Sequence, residues 1–214
     1  MAVNYSSFAD EFDKTRVALW PGVCAFLDLY GNGKGLVLDL GCGNGKYMNV
    51  KRSWGEFLGI DLCWQLLNIV NNKTKKDVVM CNLMQPRLPF VDGGFDCCIC
   101  VAVLHHLPFE SDRIGLVKEM LRAVNGMCCV VVWASTAVLC GGDKWKPCDG
   151  RGDWLVSWGS LSSRKRRFYH LFEDGELEDT IVKAGGRVVR VFFEADNWYC
   201  WFNRGLQDKN TTIS

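Results

Sequence analysis

Two periods of apolar and polar positions alternate along this chain, and the switches between them outline its elements. From Val23 to Tyr30 apolar residues recur at helical spacing until Gly31 and Gly33 interrupt them. With the stretches Ser7–Phe12 and Thr15–Pro21 before it, this reads as an N-terminal helical lid over residues 1–34. Leu36 to Leu40 has strand character and runs straight into three alternating glycines, after which a helical stretch is expected. Glu56 to Ile60 reads as a second strand, Trp64 to Val70 as an apolar helix and Asp77 to Cys81 as a short strand. A fourth strand follows at Phe95 to Val101, then a helix near 111–124, an Asn125-Gly126 turn and a strand from Cys128 to Trp133. Helical spacing returns at 174–184, and Gly185-Gly186 separates it from strands at 188–193 and 198–203. This βα alternation calls for a Rossmann-like α/β fold, a mostly parallel doubly wound sheet with helices on both faces. Residues 136–168, rich in glycine and tryptophan and ending near Arg164-Lys165-Arg166-Arg167, break the alternation and read as an irregular insertion on the substrate side. At 214 residues the chain reads as one domain, 1–214, large enough for a full core.

Composition changes this picture little. The net charge of +1 means that any nucleic-acid contact must come from a local patch. The twelve cysteines do not read as disulfides, because Cys97, Cys98, Cys100, Cys128 and Cys129 lie within apolar strands. Cys97 and Cys100 have CxxC spacing, but residues three apart on a strand face opposite ways, so no metal site is expected. These features suit a cytoplasmic protein, with the nucleus as a further location. No charged-then-apolar leader and no run of membrane-spanning length is present, so no membrane contact is expected.

Candidate chemistry begins at Asp39-Leu40-Gly41-Cys42-Gly43-Asn44-Gly45-Lys46. Glycines at the end of a buried strand let backbone N–H groups approach a ligand, at the crevice where open α/β sheets bind nucleotides. Lys46 occupies the place of the third glycine of a dinucleotide fingerprint, and Asp39 would repel a pyrophosphate. A carboxylate there suits an ammonium and a sulfonium, while Asp61, at the end of the second strand, suits ribose hydroxyls. Together they point to S-adenosylmethionine.

The order of motifs resembles class I S-adenosylmethionine-dependent methyltransferases. More narrowly it resembles the eukaryotic tRNA wobble-uridine carboxymethyl methyltransferases, including the methyltransferase domain fused to an AlkB-type dioxygenase. The resemblance rests on Thr15-Arg16, Trp20-Pro21, the segment 39–47, Ala102-Val103-Leu104-His105-His106 and Val132-Trp133-Ala134. It continues through Arg167-Phe168-Tyr169-His170-Leu171-Phe172, Gly175-Glu176-Leu177 and Asp196-Asn197-Trp198-Tyr199. It implies a seven-stranded sheet and esterification of the 5-carboxymethyl group of uridine-34 in the tRNA anticodon loop. It also implies a heterodimer with a small zinc-containing methyltransferase activator protein. The segment Glu110–Ile114, Ser157-Trp158 and Asn82 depart from the family pattern.

Within that frame the cofactor is expected at Asp39, Gly41, Cys42, Gly43, Asn44, Lys46, Asp61, Asn82 and Val101. Arg16 is the first candidate to hold the substrate carboxylate, with His105, His106 and His170 as further catalytic candidates. Only one of the adjacent His105 and His106 is expected to face the site. Arg164, Arg166 and Arg167 form a basic patch for phosphates, Tyr169 is placed to stack on a base, and Trp158, Asn197 and Trp198 to line a substrate cleft. In the strand order this fold implies, Val78-Val79-Met80 lies on a sheet edge beside Trp64 and Leu67, and this surface is expected to receive the activator. A small-molecule carboxyl or quinone-pathway methyltransferase and a catalytically silent RNA-binding scaffold remain alternatives, since fold does not fix substrate.

Overall fold

The computed structural model describes residues 9–31, 33, 35–140, 144–148, 152–158 and 165–205. In chain order these form α1 (Ala9–Thr15), α2 (Pro21–Tyr30), β1 (Leu36–Leu40), β2 (Glu56–Asp61), α3 (Trp64–Thr74), β3 (Asp77–Met80) and β4 (Phe95–Val101). There follow α4 (Glu110–Ala123), β5 (Val124–Trp133), β6 (Trp145–Pro147), β7 (Asp153–Trp158), β8 (Lys165–His170), α5 (Glu176–Lys183), β9 (Gly186–Glu194) and β10 (Asn197–Arg204). Seven strands build the main sheet in the order β3-β2-β1-β4-β5-β10-β9. The pairs from β3 to β5 are parallel, and β10 runs antiparallel to both β5 and β9.

Strand β1 explains its own central position. A strand covered by helices on both faces must be apolar at nearly every residue. Leu38 and Leu40 pack with Leu116, Val117, Leu177 and Ile181 of α4 and α5. Val37, on the other face, packs with Phe26 and Leu27 of α2 and with Leu67 and Val70 of α3. The cysteines divide in the same way, Cys97 and Cys129 on one face and Cys98, Cys100, Cys128 and Cys200 on the other. The eleven cysteines whose side chains are described are all free.

Several expectations need correction. Residues 41–49 form tight turns and not a helix, because Gly41, Gly43 and Gly45 all have positive φ (75°, 56° and 69°). Asn125-Gly126 is no turn but lies inside β5. There a Cβ on Gly126 would stand 2.1 Å from the Asp96 carbonyl oxygen, so the glycine serves a close strand approach beside a register shift. The segment expected to be irregular contains a three-stranded antiparallel sheet, β6-β7-β8. It joins the main sheet through the Ala134–Phe172 bridge. Of the expected lid, α2 is a core helix with Val23, Phe26 and Leu27 fully buried, and only the chain before it reaches over the site.

β3 does lie on the sheet edge. Its Val78 and Val79 are half-buried, while Met80 and Trp64 are 58% and 56% exposed. Leu67 is corrected: it is buried against the sheet and cannot meet a partner. The second apolar stripe of α3, Leu66 and Ile69, packs against Ala9 of α1.

Candidate active site

Where the strand order reverses between β1 and β4, a cavity of about 540 Å³ opens at the carboxyl ends of the parallel strands. All nine residues expected to hold the cofactor line it. Backbone bonds from Gly41 N–H (2.7 Å) and Cys42 N–H (2.8 Å) to the Ile60 carbonyl fasten the glycine loop to β2. Asp61 accepts from Gly43 N–H through one carboxylate oxygen (3.0 Å) and from Cys63 N–H through the other (2.8 Å). A Cβ at Gly41 would stand 2.3 Å from Val103 Cγ2, so the loop and the end of β4 touch at a point only glycine allows.

Asp39 is 2% exposed, and its Oδ2 has no hydrogen-bond partner. Burial pushes its carboxyl up to about 7, against the pull of Lys46 and with help from Asp61. Such a group invites a cation. Lys46 does not supply that contact, because its Nζ donates to the Ala18 carbonyl (3.2 Å) and lies 4.6 Å from the Trp20 ring. Burial lowers the Lys46 pKa to about 8. Asn44 likewise turns outward, donating to Asp13 Oδ1 (3.0 Å) and the Arg16 carbonyl (3.3 Å). Both side chains line the cavity while tying residues 13–20 across it. Asn82 Oδ1 accepts from Met84 N–H (3.1 Å) and shapes the loop after β3.

The opposite end of the cavity is aromatic and basic. His105 and His106 lie in a single helical turn, Leu104–His106, and this turn brings both of them to the wall, where one was expected. His105 is buried, and its Nδ1 accepts from Trp133 N–H (3.2 Å). Burial, then the neighbouring His106 and His170, hold its pKa well below the usual value. The ring is therefore neutral with its proton on Nε2, which has no partner in the structure. His106 has the opposite tautomer. Its Nδ1 lies 3.1 Å from the Phe168 carbonyl, which can only accept. Burial brings its pKa down to about 4, so its Nε2 is a bare acceptor.

Arg16 and Arg167 also line this cavity. Strand alternation in β8 turns Arg167 inward, where it is buried and donates to Tyr169 Oη (3.1 Å), and leaves Arg166 exposed. The expected phosphate patch is thus divided, and Arg164 lies outside the described residues. Tyr169 is 1% exposed and stacks on Trp133 (4.8 Å, 19°) and His105 (5.3 Å, 27°), so it builds the wall and offers no open face to a base.

A methyltransferase-domain profile matches residues 38–129. The tRNA (carboxymethyluridine(34)-5-O)-methyltransferase of Schizosaccharomyces pombe is 30% identical over 217 residues, spanning 91% of this chain and 92% of the yeast protein. This chain belongs to the tRNA carboxymethyluridine methyltransferase family. The Arabidopsis thaliana member is 32% identical over 84% of this chain, which spans only 45% of the plant protein. Among solved structures, a Haloferax volcanii methyltransferase in complex with the Trm112 activator superposes with a TM-score of 0.70 at 13% identity, covering 95% of this chain and 99% of that one. The DhpI–SAH complex gives 0.70 at 17% identity, covering 95% and 94%. At these identities the likeness concerns the fold.

For a carboxymethyluridine methyltransferase the cofactor end is chemically apt. A buried carboxyl at Asp39 whose Oδ2 has no partner fits the ammonium of S-adenosylmethionine, and Asp61, held by the Gly43 and Cys63 N–H groups, is the residue that would take the ribose hydroxyls. Other expected residues fall elsewhere. His170 is not in the cavity: its ring nitrogens meet Asp153 (2.7 Å) and Glu176 (2.6 Å). Burial pulls its pKa down, but the two carboxylates outweigh that and the net shift is upward, so it clamps the small sheet to α5. Trp198 packs on Phe193 (5.1 Å) and the α4–α5 core. Trp158 ends β7, and its side chain lies outside the described set. Asn197 is buried and donates to the Ala195 carbonyl. Trp20 and Trp133 line the cavity; Trp133 reads from sequence as a core residue, and neither was expected in the site. The position of Trp133 at the carboxyl end of a parallel strand was the available signal. Arg113, within the divergent segment after the histidines, donates to the Leu107 carbonyl (2.9 Å) and braces the histidine turn.

Proposed function

We propose that this chain transfers a methyl group from S-adenosylmethionine to the carboxylate of 5-carboxymethyluridine at wobble position 34 of tRNA, forming the methyl ester. The observation that carries the reading is a single cavity lined both by the carboxylates Asp39 and Asp61 and by the guanidiniums Arg16 and Arg167. When bound, the cofactor would supply an electrophilic methyl on its sulfonium. A carboxylate nucleophile is already ionised at pH 7, so the protein needs to align it and exclude water, not to remove a proton. Arg16 and Arg167 supply planar cationic forks for that carboxylate. His105 offers an N–H and His106 a lone pair, both neutral, and these suit a polar edge of the uridine without adding charge.

The direct test is methyl transfer from labelled S-adenosylmethionine to tRNA bearing 5-carboxymethyluridine. Arg16→Ala is expected to lower turnover about tenfold more than Arg16→Lys, because the lysine keeps the charge. Neither rate profile should show a histidine titration between pH 6 and 8. A rate that follows such a titration would contradict alignment without a base.

The same proposal includes a small zinc-containing activator as a heterodimer partner, pairing with the β3 edge, and a cytoplasmic setting that suits the buried free thiols. Support for the partner is the exposed Met80, at the end of an edge strand whose outer side is unpaired among the described residues, together with the exposed Trp64 of α3. Pull-down of the activator should fall at least about tenfold with Met80→Asp combined with Trp64→Asp; full retention by a folded double variant would place the docking surface elsewhere.

A further inference from the structure

A second cavity of about 590 Å³ lies beside the first and shares Trp20 and Trp133 with it. Trp145 and Tyr199 add aromatic walls, with Trp145 5.9 Å from Trp133 and Tyr199 6.4 Å from Trp20 between ring centres. Its floor is the β9–β10 turn, where Ala195 and Asp196 have positive φ (49° and 57°). These are costly conformations for residues other than glycine, and they mark a turn held for its geometry. Asn197 follows. Its amide N–H2 is spent on the Glu194 and Ala195 carbonyls, which leaves Oδ1 a buried acceptor with no partner in the structure.

The charge of this cavity limits what it can take. Glu194 accepts from Gly22 N–H (3.3 Å) and Asp196 from the Thr136 hydroxyl (2.9 Å), so both carboxylates are held in place. No lysine or arginine lines it among the described residues. A phosphate would be repelled there. An aromatic ring with N–H groups on its edge meets stacking partners and three acceptors, the Asn197 amide oxygen and the Glu194 and Asp196 carboxylates. Nucleobases carrying exocyclic amino groups have this form.

We infer that this cavity is a subsite for the base of a nucleotide flanking the methylated one, stacked against Trp145 and presenting an N–H edge to Asn197 Oδ1 and the two carboxylates. The inference rests on the RNA-substrate reading above and adds to it how the neighbouring base is received. The shared Trp133 and Trp20 wall explains why two adjacent nucleotides, splayed apart, could be held at once.

The test uses the full chain and synthetic anticodon stem-loops, intact or with an abasic sugar at one position flanking the wobble nucleotide. S-adenosylhomocysteine binding serves as the control. Removing one flanking base should weaken wild-type binding about tenfold, the loss of one stacked base. An analogue lacking N–H donors at that position should lose most of the same affinity. Trp145→Leu should weaken the intact RNA about tenfold, lose little more on the abasic RNA, and bind S-adenosylhomocysteine as wild type does. Should that variant not fold, Asp196→Asn, whose side chain tolerates the left-handed backbone, should shrink the discrimination against the donor-free analogue. Equal binding of intact, abasic and donor-free RNAs overturns the subsite, as does an abasic penalty undiminished in Trp145→Leu. Binding of S-adenosylhomocysteine with no RNA binding at all overturns the RNA-substrate reading as well.

Discussion

Asp39→Asn should weaken S-adenosylmethionine binding by about a hundredfold in isothermal titration. The asparagine keeps the shape of a side chain that is 2% exposed but removes the charge that meets the ammonium. Breaking a buried charge pair costs about 3–5 kcal/mol, and a hundredfold corresponds to about 2.7 kcal/mol, so the figure is a cautious one. The wild-type protein adds a pH signature. In the unliganded chain the Asp39 carboxyl titrates at about 7, and the cofactor's cation favours its ionised form. Affinity should therefore fall about tenfold per unit below pH 7 and level off above it. Stability shows the same group with the opposite sign. A carboxyl whose folded pKa is raised stabilises the fold below its unfolded pKa of about 4, and that contribution is lost as pH rises through about 7. Thermal protection by the cofactor should thus be larger at pH 8 than at pH 6, and Asp39→Asn should abolish the difference. Unchanged affinity in the variant would remove the cofactor assignment from this loop.

Arg167→Met should lower turnover about a hundredfold while S-adenosylmethionine affinity stays within about twofold. Methionine replaces the buried stem of a side chain that lines the cavity, but on the proposed reading it would leave the substrate carboxylate without one of two cationic forks. Arg167→Lys should fall between, since it restores the charge and not the planar donor pair. Single-turnover kinetics with saturating RNA checks this. If the loss appears only as weaker RNA binding, with turnover at saturation unchanged, Arg167 is a phosphate contact after all.

Legibility followed the physics of each segment. Asp39, the three glycines and Asp61 could be read because a strand end, a positive-φ loop and a second strand end leave fixed marks in sequence. Asn125-Gly126 misled because that dipeptide is a strong turn signal, whereas here the glycine is needed to let β5 approach the Asp96 carbonyl. The small sheet was hidden because β6 has three residues and β8 opens with consecutive basic residues, which read as loop. The basic run looked like a surface patch, yet period-2 alternation alone would have separated Arg167 from Arg166. His170 lies next to the cavity wall in sequence, and only the packing of α5 shows Glu176 taking its Nε2. Leu67 was assigned outward because apolar residues on more than one stripe of the helix suggested a free face, but Leu67 packs on the sheet and α1 covers the second stripe, Leu66 and Ile69.

Nucleoside mass spectrometry of tRNA from cells lacking this protein tests the central claim most directly. The methyl ester of 5-carboxymethyluridine should disappear at position 34, its free acid should accumulate, and the ester should return with the wild-type chain but not with Asp39→Asn. Undiminished methyl ester in the deleted cells, or full restoration by Asp39→Asn, would contradict it.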